Sequence, residues 1–241
     1  MKAFDLHIHS VFSEGTSSLE DLATTAKSLG YSGICFSTYF QNFDKIKKIY
    51  EEIEKVKEKV KIEIFLGIEA RNVKELSFLA DKRKKFDILL VSGGDLKLNR
   101  LACETPEVDI LTHPELNRND SGLNHILVKM AAKNNVAIEI NFREVLITSK
   151  KTRAKIISNM VQNVKLAKKY NAPLIICSGS ISHWELRDPI TLSSFGTLLG
   201  LDFNEARKCI GEIPKNIVEE IKKRRSERWI MPGVGIIKKV E

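Results

Sequence analysis

VDILTHPELNRNDSGLNHILVKMAAKNNVAIEINFR, residues 108–143, reads as strand, loop, helix, strand. Residues 108–111 are a short apolar run, long enough for a buried parallel strand. Asp120 or Ser121 is placed to cap a helix whose apolar side is Leu123, Ile126, Leu127, Met130 and Ala131, spaced three and four apart. Residues 136–140 form a second strand. Ionisable and polar side chains gather after the first strand and at the exit of the second: His113, Glu115, Arg118, Glu139, Asn141 and Arg143. In parallel α/β folds, function sits at the carboxyl ends of the strands.

The same unit recurs along the chain. Strands are expected at residues 4–8, 33–37, 61–66, 86–91, 108–111, 136–140 and 173–177. In the first, Phe4, Leu6 and Ile8 alternate with Asp5 and His7. Ser17-Ser18-Leu19-Glu20 offers a capping box for the first helix. A long charged helix over 42–59 keeps Ile46, Ile49, Ile53 and Val56 at helical spacing, so its Lys and Glu residues form a solvated face. Ser92-Gly93-Gly94 is a loop where backbone can approach a ligand. A short helix over 97–103 follows, and a longer one runs from Lys150, Lys151 and Arg153 to Tyr170. Asp202 with Glu205 caps another, and Pro214 opens the last. Strands alternating with helices argue a parallel sheet with right-handed crossovers. No linker divides residues 1–241, which read as one domain ending in a mixed apolar and basic tail, about 228–241.

Composition narrows the classes. No run of about 18 apolar residues exists, so no membrane span is expected. Charged residues arrive too early for a secretory signal. Cys35, Cys103, Cys177 and Cys209 show no paired spacing and read as buried free thiols in a reducing, cytoplasmic setting. Lys and Arg number 39 against 31 acids, a formal net charge of +8. Such an excess attracts polyanions.

Asp5-Leu6-His7-Ile8-His9-Ser10 is the sharpest short motif. Two imidazoles two apart on a strand point the same way and suit a shared Zn, Mn or Fe ion. Glu69, His113 and Glu139 are further ligand candidates at later strand ends. These segments, with Thr112-His113-Pro114 and Glu139-Ile140-Asn141, resemble the polymerase and histidinol phosphatase (PHP) superfamily. That resemblance implies a distorted TIM-like (βα)7 barrel. Where active members carry ligands after strands two and seven, this chain reads Ser37-Thr38-Tyr39 and Ser178-Gly179-Ser180. Longer matches go further: residues 99–109 (NRLACETPEVD), 121–143 (SGLNHILVKMAAKNNVAIEINFR) and 178–201 (SGSISHWELRDPITLSSFGTLLGL) resemble the archaeal ribonuclease P protein component 3 family, a degenerate PHP-type barrel related to the eukaryotic thirty-kilodalton subunit. The resemblance implies a subunit of the ribonucleoprotein that removes the 5′ leader from precursor tRNA. The catalytic RNA with Mg²⁺ would perform hydrolysis. No cofactor is then expected on the protein beyond a residual divalent metal at His7, His9, Glu69 and His113. Protein component 2 is the implied partner, as two copies of each, among further subunits.

Nine cations follow strands: Arg71, Lys97, Arg100, Arg118, Arg143, Lys150, Lys151, Arg153 and Arg187. Gathered on one rim, they suit RNA phosphates. Glu69 and Glu139 are expected to pair with Arg71 and Arg143, and His183-Trp184 to fold the last loop back on the barrel. The alternatives are a stand-alone metal-dependent phosphoesterase, against which the missing ligands count, and a protein-only scaffold, against which the basic rim counts.

Overall fold

A computed structural model describes residues 2–226, 229–231 and 234–235. Seven parallel strands form one sheet in sequence order: β1 (Phe4–His9), β2 (Gly33–Tyr39), β3 (Glu63–Ala70), β4 (Ile88–Ser92), β5 (Ile110–Thr112), β6 (Ala137–Asn141) and β7 (Leu174–Cys177). The helices between them are α1 (Leu19–Ser28), α2 (Phe43–Val60), α3 (Val73–Asp81), α4 (Leu96–Glu104), α5 (His125–Asn134), α6 (Arg143–Ile147) and α7 (Lys150–Tyr170). After β7 come α8 (Pro189–Leu198), α9 (Phe203–Lys208) and α10 (Glu212–Arg224). This is the expected single α/β barrel of the TIM-like kind.

The barrel closes without a β7–β1 ladder. Ser178–Ile181 crosses the top of β1 instead: Gly179 N donates to His7 O (3.1 Å) and His9 N to Ser180 O (2.8 Å). Gly179 has φ +63°, and a Cβ there would lie 2.2 Å from Asn141 Oδ1, so the crossing needs glycine.

The interior has two halves. Phe4, Leu6, Cys35, Phe65, Ile88, Leu90, Ile110, Ala137, Ile175 and Cys177 fill the amino-terminal half, sealed by Ile217, Val218 and Ile221 of α10. An ionic cluster closes that end. Arg83 donates to the Glu107, Phe86 and Asp87 carbonyls and to the Asp109 carboxylate. Arg224 holds Asp109 at 3.0 Å, and Arg225 holds Asp87 at 2.8 Å. Leu66 N and Leu89 N also donate to Asp87 and Asp109. The carboxyl-terminal half holds polar side chains.

Several expectations are corrected. The register slips between Asp5 and Ile8, so Phe4 and Leu6 face the barrel interior while Ile8 packs in the outer helical core. Such a bulge re-aims side chains, which strict alternation cannot foresee. Ser18, not Ser17, caps α1, and its partner is Asp21, not Glu20. Asn124 caps α5, accepting from Ile126 N and Leu127 N, so Leu123 lies outside the helix and Ile126 is half exposed. Gly93 packs closely on its own chain: a Cβ there would sit 2.4 Å from Thr112 O. The α9 capping box forms as read, with both halves present. The reading of the 228–241 tail lies outside the described residues, except for backbone pairing of Trp229–Met231 with Val234–Gly235.

Candidate functional site

The upper half of the barrel collects the five ligand candidates. His7 and His9 come from β1, Glu69 from β3, His113 from the turn after β5 and Glu139 from β6. His7 Nδ1 lies 2.7 Å from Glu139 Oε1, and His7 Nε2 lies 3.0 Å from His9 Nε2. His9 Nδ1 in turn meets Ser13 Oγ at 2.7 Å. Glu69 Oε2 stands 3.9 Å from His7 Nε2 and 4.0 Å from His9 Nε2. His113 Nε2 approaches Glu69 Oε1 to 3.9 Å, and its main-chain N–H donates to Glu139 at 3.1 Å. His113 holds φ +27°, a conformation that costs energy outside glycine.

Electrostatics splits the two imidazoles. Burial acts against charge on His7, but the Glu139 and Glu69 carboxylates outweigh it and raise its pKa to about 9. Burial, then the neighbouring positive His7, pushes His9 down to about 2. His7 is therefore an imidazolium donating to Glu139 and to His9, and His9 is neutral with its proton on Nδ1, facing Ser13. Glu139 is held below the usual carboxylate range: burial would raise it, but His7 reverses the effect. Asp5 is pushed up to about 6 by burial, although Ser178 N and His7 N donate to it.

The donor set fits one metal ion. His7 Nε2, His9 Nε2 and a Glu69 oxygen all lie within 4.8 Å of one another. Their separations of 3.0, 3.9 and 4.0 Å fall within the roughly 4.4 Å that two ligand atoms about 2.2 Å from one ion can span. Glu139 behind His7 and Ser13 behind His9 occupy the places of groups that orient ligand rings. In β2, Ser37 Oγ is buried with no hydrogen-bond partner. After β7, Ser180 Oγ is spent on Ser178 Oγ.

Glu69 and Glu139 do not pair with arginine. Arg71 reaches Glu75 and lies over the Tyr39 ring; Arg143 reaches Glu185 at 3.1 Å. Among the other rim cations, Arg118 binds Asp120 with two nitrogens and the Gly94 carbonyl with a third. Arg100 is paired with Glu104, and Arg153 donates to Thr148 O. Arg187 leaves the rim. Its carbonyl accepts from Tyr31 Oη, and Asp188 and Pro189 beside it line a cavity with Ala3, Leu29 and Gly30 at the opposite end. The chain after β7 has by then run down the outside of the barrel. Lys97, Lys150 and Lys151 are exposed on the rim with no partner among the described residues. His183 does fold back, its Nδ1 2.8 Å from Ser17 Oγ, while Trp184 is exposed.

Sequence reasoning missed Ser13, Glu185 and the ionic cluster at Arg83, Asp87 and Asp109. Its available signal was an acid just ahead of β4 and of β5, where each carboxylate accepts main-chain N–H groups of the neighbouring strand.

The RNase P subunit p30 family profile matches residues 2–226. Ribonuclease P protein component 3 of Methanosarcina mazei is 35% identical over 237 residues, covering 97% of this chain and 95% of that protein. Ribonuclease P protein component 3 of Methanothermobacter thermautotrophicus is 34% identical over 223 residues, covering 91% and 90%. A chain of a solved structure, the cryo-EM structure of archaeal ribonuclease P with mature tRNA, superposes with a TM-score of 0.83 at 30% identity, covering 98% of this chain and 99% of that one. The chain belongs to the RNase P subunit p30 family.

Proposed function

We propose that this chain, as a member of the RNase P subunit p30 family, works as a protein subunit of ribonuclease P and supports a catalytic RNA that removes the 5′ leader from precursor tRNA. The full-length likeness to a chain of an archaeal ribonuclease P structure carries this reading. The barrel mouth supports an inactive isolated protein. His7, His9, Glu69 and Glu139 are each at most 3% exposed, so a phosphodiester has no route to them. Leader cleavage by the RNA with Mg²⁺ and partner proteins, with and without this chain, tests the reading. Cleavage should depend on the chain, and the chain alone should show no phosphodiester turnover with Mn²⁺ or Zn²⁺. Turnover by the chain alone would reverse the assignment of chemistry to the RNA.

The partner reading is protein component 2, as a heterotetramer of two copies each. An exposed apolar strip supports a protein contact: Ile190 and Leu198 of α8, eight residues apart on one helix face, with Phe203 of α9. Light scattering of the mixed proteins tests the stoichiometry.

A single divalent ion at His7, His9 and Glu69, with His113 adjacent, is a second reading, favoured by the donor spacing and the ring-orienting partners. Such an ion supplies Lewis acidity when bound. The chain's own residues would hold it, with Glu139 and Ser13 fixing the ring orientations. Metal content after purification, with and without His9→Gln, measures it.

A further inference from the structure

α7 presents one exposed stripe, Lys151, Lys155, Ser158, Gln162, Lys165 and Lys169, spaced four and three apart. At 1.5 Å per residue it runs about 27 Å. α5 lies alongside with exposed Lys129 and Lys133. The two helices share a cationic surface: the Lys129 and Lys169 ammonium groups both lie over the Tyr170 ring, at 5.2 and 5.5 Å. Lys155 reaches Asn119, just ahead of α5. No Asp or Glu occurs between Glu144 and Glu185, nor between Asp120 and Glu139. None of these six lysines has a carboxylate partner among the described residues. On α2, by contrast, Lys55, Lys57 and Lys59 are paired with Glu52, Glu54 and Glu20.

We propose that the α5–α7 wall is the surface on which the phosphate backbone of double-helical RNA lies. The proposal rests on the ribonuclease P reading and locates its RNA contact away from the barrel rim. Two ammonium groups on one ring repel each other unless an anion joins them. The stripe's centre offers neutral hydrogen-bond donors in Ser158 and Gln162, which suit phosphate oxygens and ribose hydroxyls. An acidic protein partner is disfavoured because α7 exposes no large apolar side chain and α5 only Ile126, so an interface core is lacking. A straight row of lysines on a helix reads backbone rather than base identity.

The test compares Lys155→Ala/Lys165→Ala/Lys169→Ala with Lys55→Ala/Lys57→Ala/Lys59→Ala in the full chain. Both remove three lysines from helix surfaces, and circular dichroism should show both folded with melting temperatures near the parent's. Binding to ribonuclease P RNA and to an unrelated RNA duplex is measured across a salt series. The α7 triple should flatten the salt dependence by roughly three units on both RNAs and weaken binding more than about tenfold, while the α2 triple follows the parent. A parent-like slope in the α7 triple overturns the proposal. So does lost capture of a partner subunit with RNA binding unchanged, which would make the wall a protein interface. If the parent neither binds RNA nor supports leader cleavage, the ribonuclease P reading fails first, and that outcome is distinct because it appears without any substitution.

Discussion

Both ends of the barrel bury ionisable groups, but they are finished differently. At the amino-terminal end, Asp87 and Asp109 each meet arginine and a main-chain N–H, and Arg83 spends its nitrogens on three carbonyls and a carboxylate. Each buried carboxylate meets a guanidinium there, although Arg224 Nη1 is itself buried without a hydrogen-bond partner. At the carboxyl-terminal end, three imidazoles and two carboxylates gather without an arginine, and His7 is the cation beside Glu139. Two Nε2 atoms face each other at 3.0 Å, and His113 Nδ1 is buried without a hydrogen-bond partner. Arginine holds the buried carboxylates at one end, whereas imidazoles, whose charge depends on pH, hold them at the other. Neither burial nor an unpaired nitrogen distinguishes the two ends; the kind of cation that meets the carboxylates does.

The sharpest way to break this contrast is at the arginine end. Asp109→Ala leaves Arg83 and Arg224 without their carboxylate in a buried setting, and the expected loss is about 3–5 kcal/mol. Chemical denaturation of the two proteins measures it. A loss below about 1 kcal/mol would show that the cluster does not hold α10 against the barrel.

At the imidazole end, Glu139→Gln removes the carboxylate that charges His7. The expected loss is about 2 kcal/mol, typical of a hydrogen bond to a charged group. It should depend on pH. His7 sits at about 9 in the fold against an ordinary 6.5, so its stabilisation is present below 6.5 and is lost as pH rises through 9. Unfolding at pH 6 should therefore separate variant from parent more than unfolding at pH 9. An equal gap at both values would mean that His7 is neutral in the fold.

Glu115 gives an effect of the opposite sign. Burial holds its carboxyl up at about 8 against an ordinary 4.5; one oxygen accepts from Asn163, and the other has no partner. The folded chain keeps a proton that the unfolded chain releases between those values. Stability contributed by Glu115 therefore falls as pH rises from 4.5 to 8. Glu115→Gln should leave stability near pH 5 unchanged and raise the melting temperature at pH 8. A variant parallel to the parent at both values would show that Glu115 is ionised in the fold.

What the sequence disclosed follows the same divide. Strands were legible because apolar runs such as 88–91 and 174–177 are buried on both faces, and α2 because Ile46, Ile49 and Ile53 mark one stripe. The five residues at the mouth were legible as ligand candidates because parallel strands end together. Their partners were not. Charge and proximity in sequence suggested Arg143 for Glu139, yet the chain turns sharply after Asn141, and Arg143 N donates to Asn141 Oδ1 while its guanidinium reaches Glu185, forty-two residues on. Arg187 looked like a rim residue because it follows β7, but the segment after Ser180 descends the barrel before α8 begins. Pairing and descent depend on tertiary contacts that no local pattern encodes.

The smallest expected effect separates the mouth from the function. His7→Gln with His9→Gln keeps amide donors near Glu139 and so avoids stranding a buried carboxylate, which His7→Ala would do. It removes two of the three donors that fit an ion. If the RNA carries the chemistry, leader cleavage by the reconstituted particle should stay within about twofold of the parent, because uncharged replacements deep in the barrel change neither the basic wall on α5 and α7 nor the apolar strip on α8. Metal content should fall in the same preparation if the parent holds an ion. Cleavage reduced by tenfold or more, in a variant with parent-like circular dichroism and RNA affinity, would place the mouth in the reaction. Cleavage lost together with RNA affinity would instead mean that the mouth holds the α5–α7 wall in shape, since His113 and Glu139 stand at the strand exits from which those helices depart. The RNA salt slope discriminates between these two outcomes, because a direct catalytic role leaves it at the parent value and a distorted wall does not.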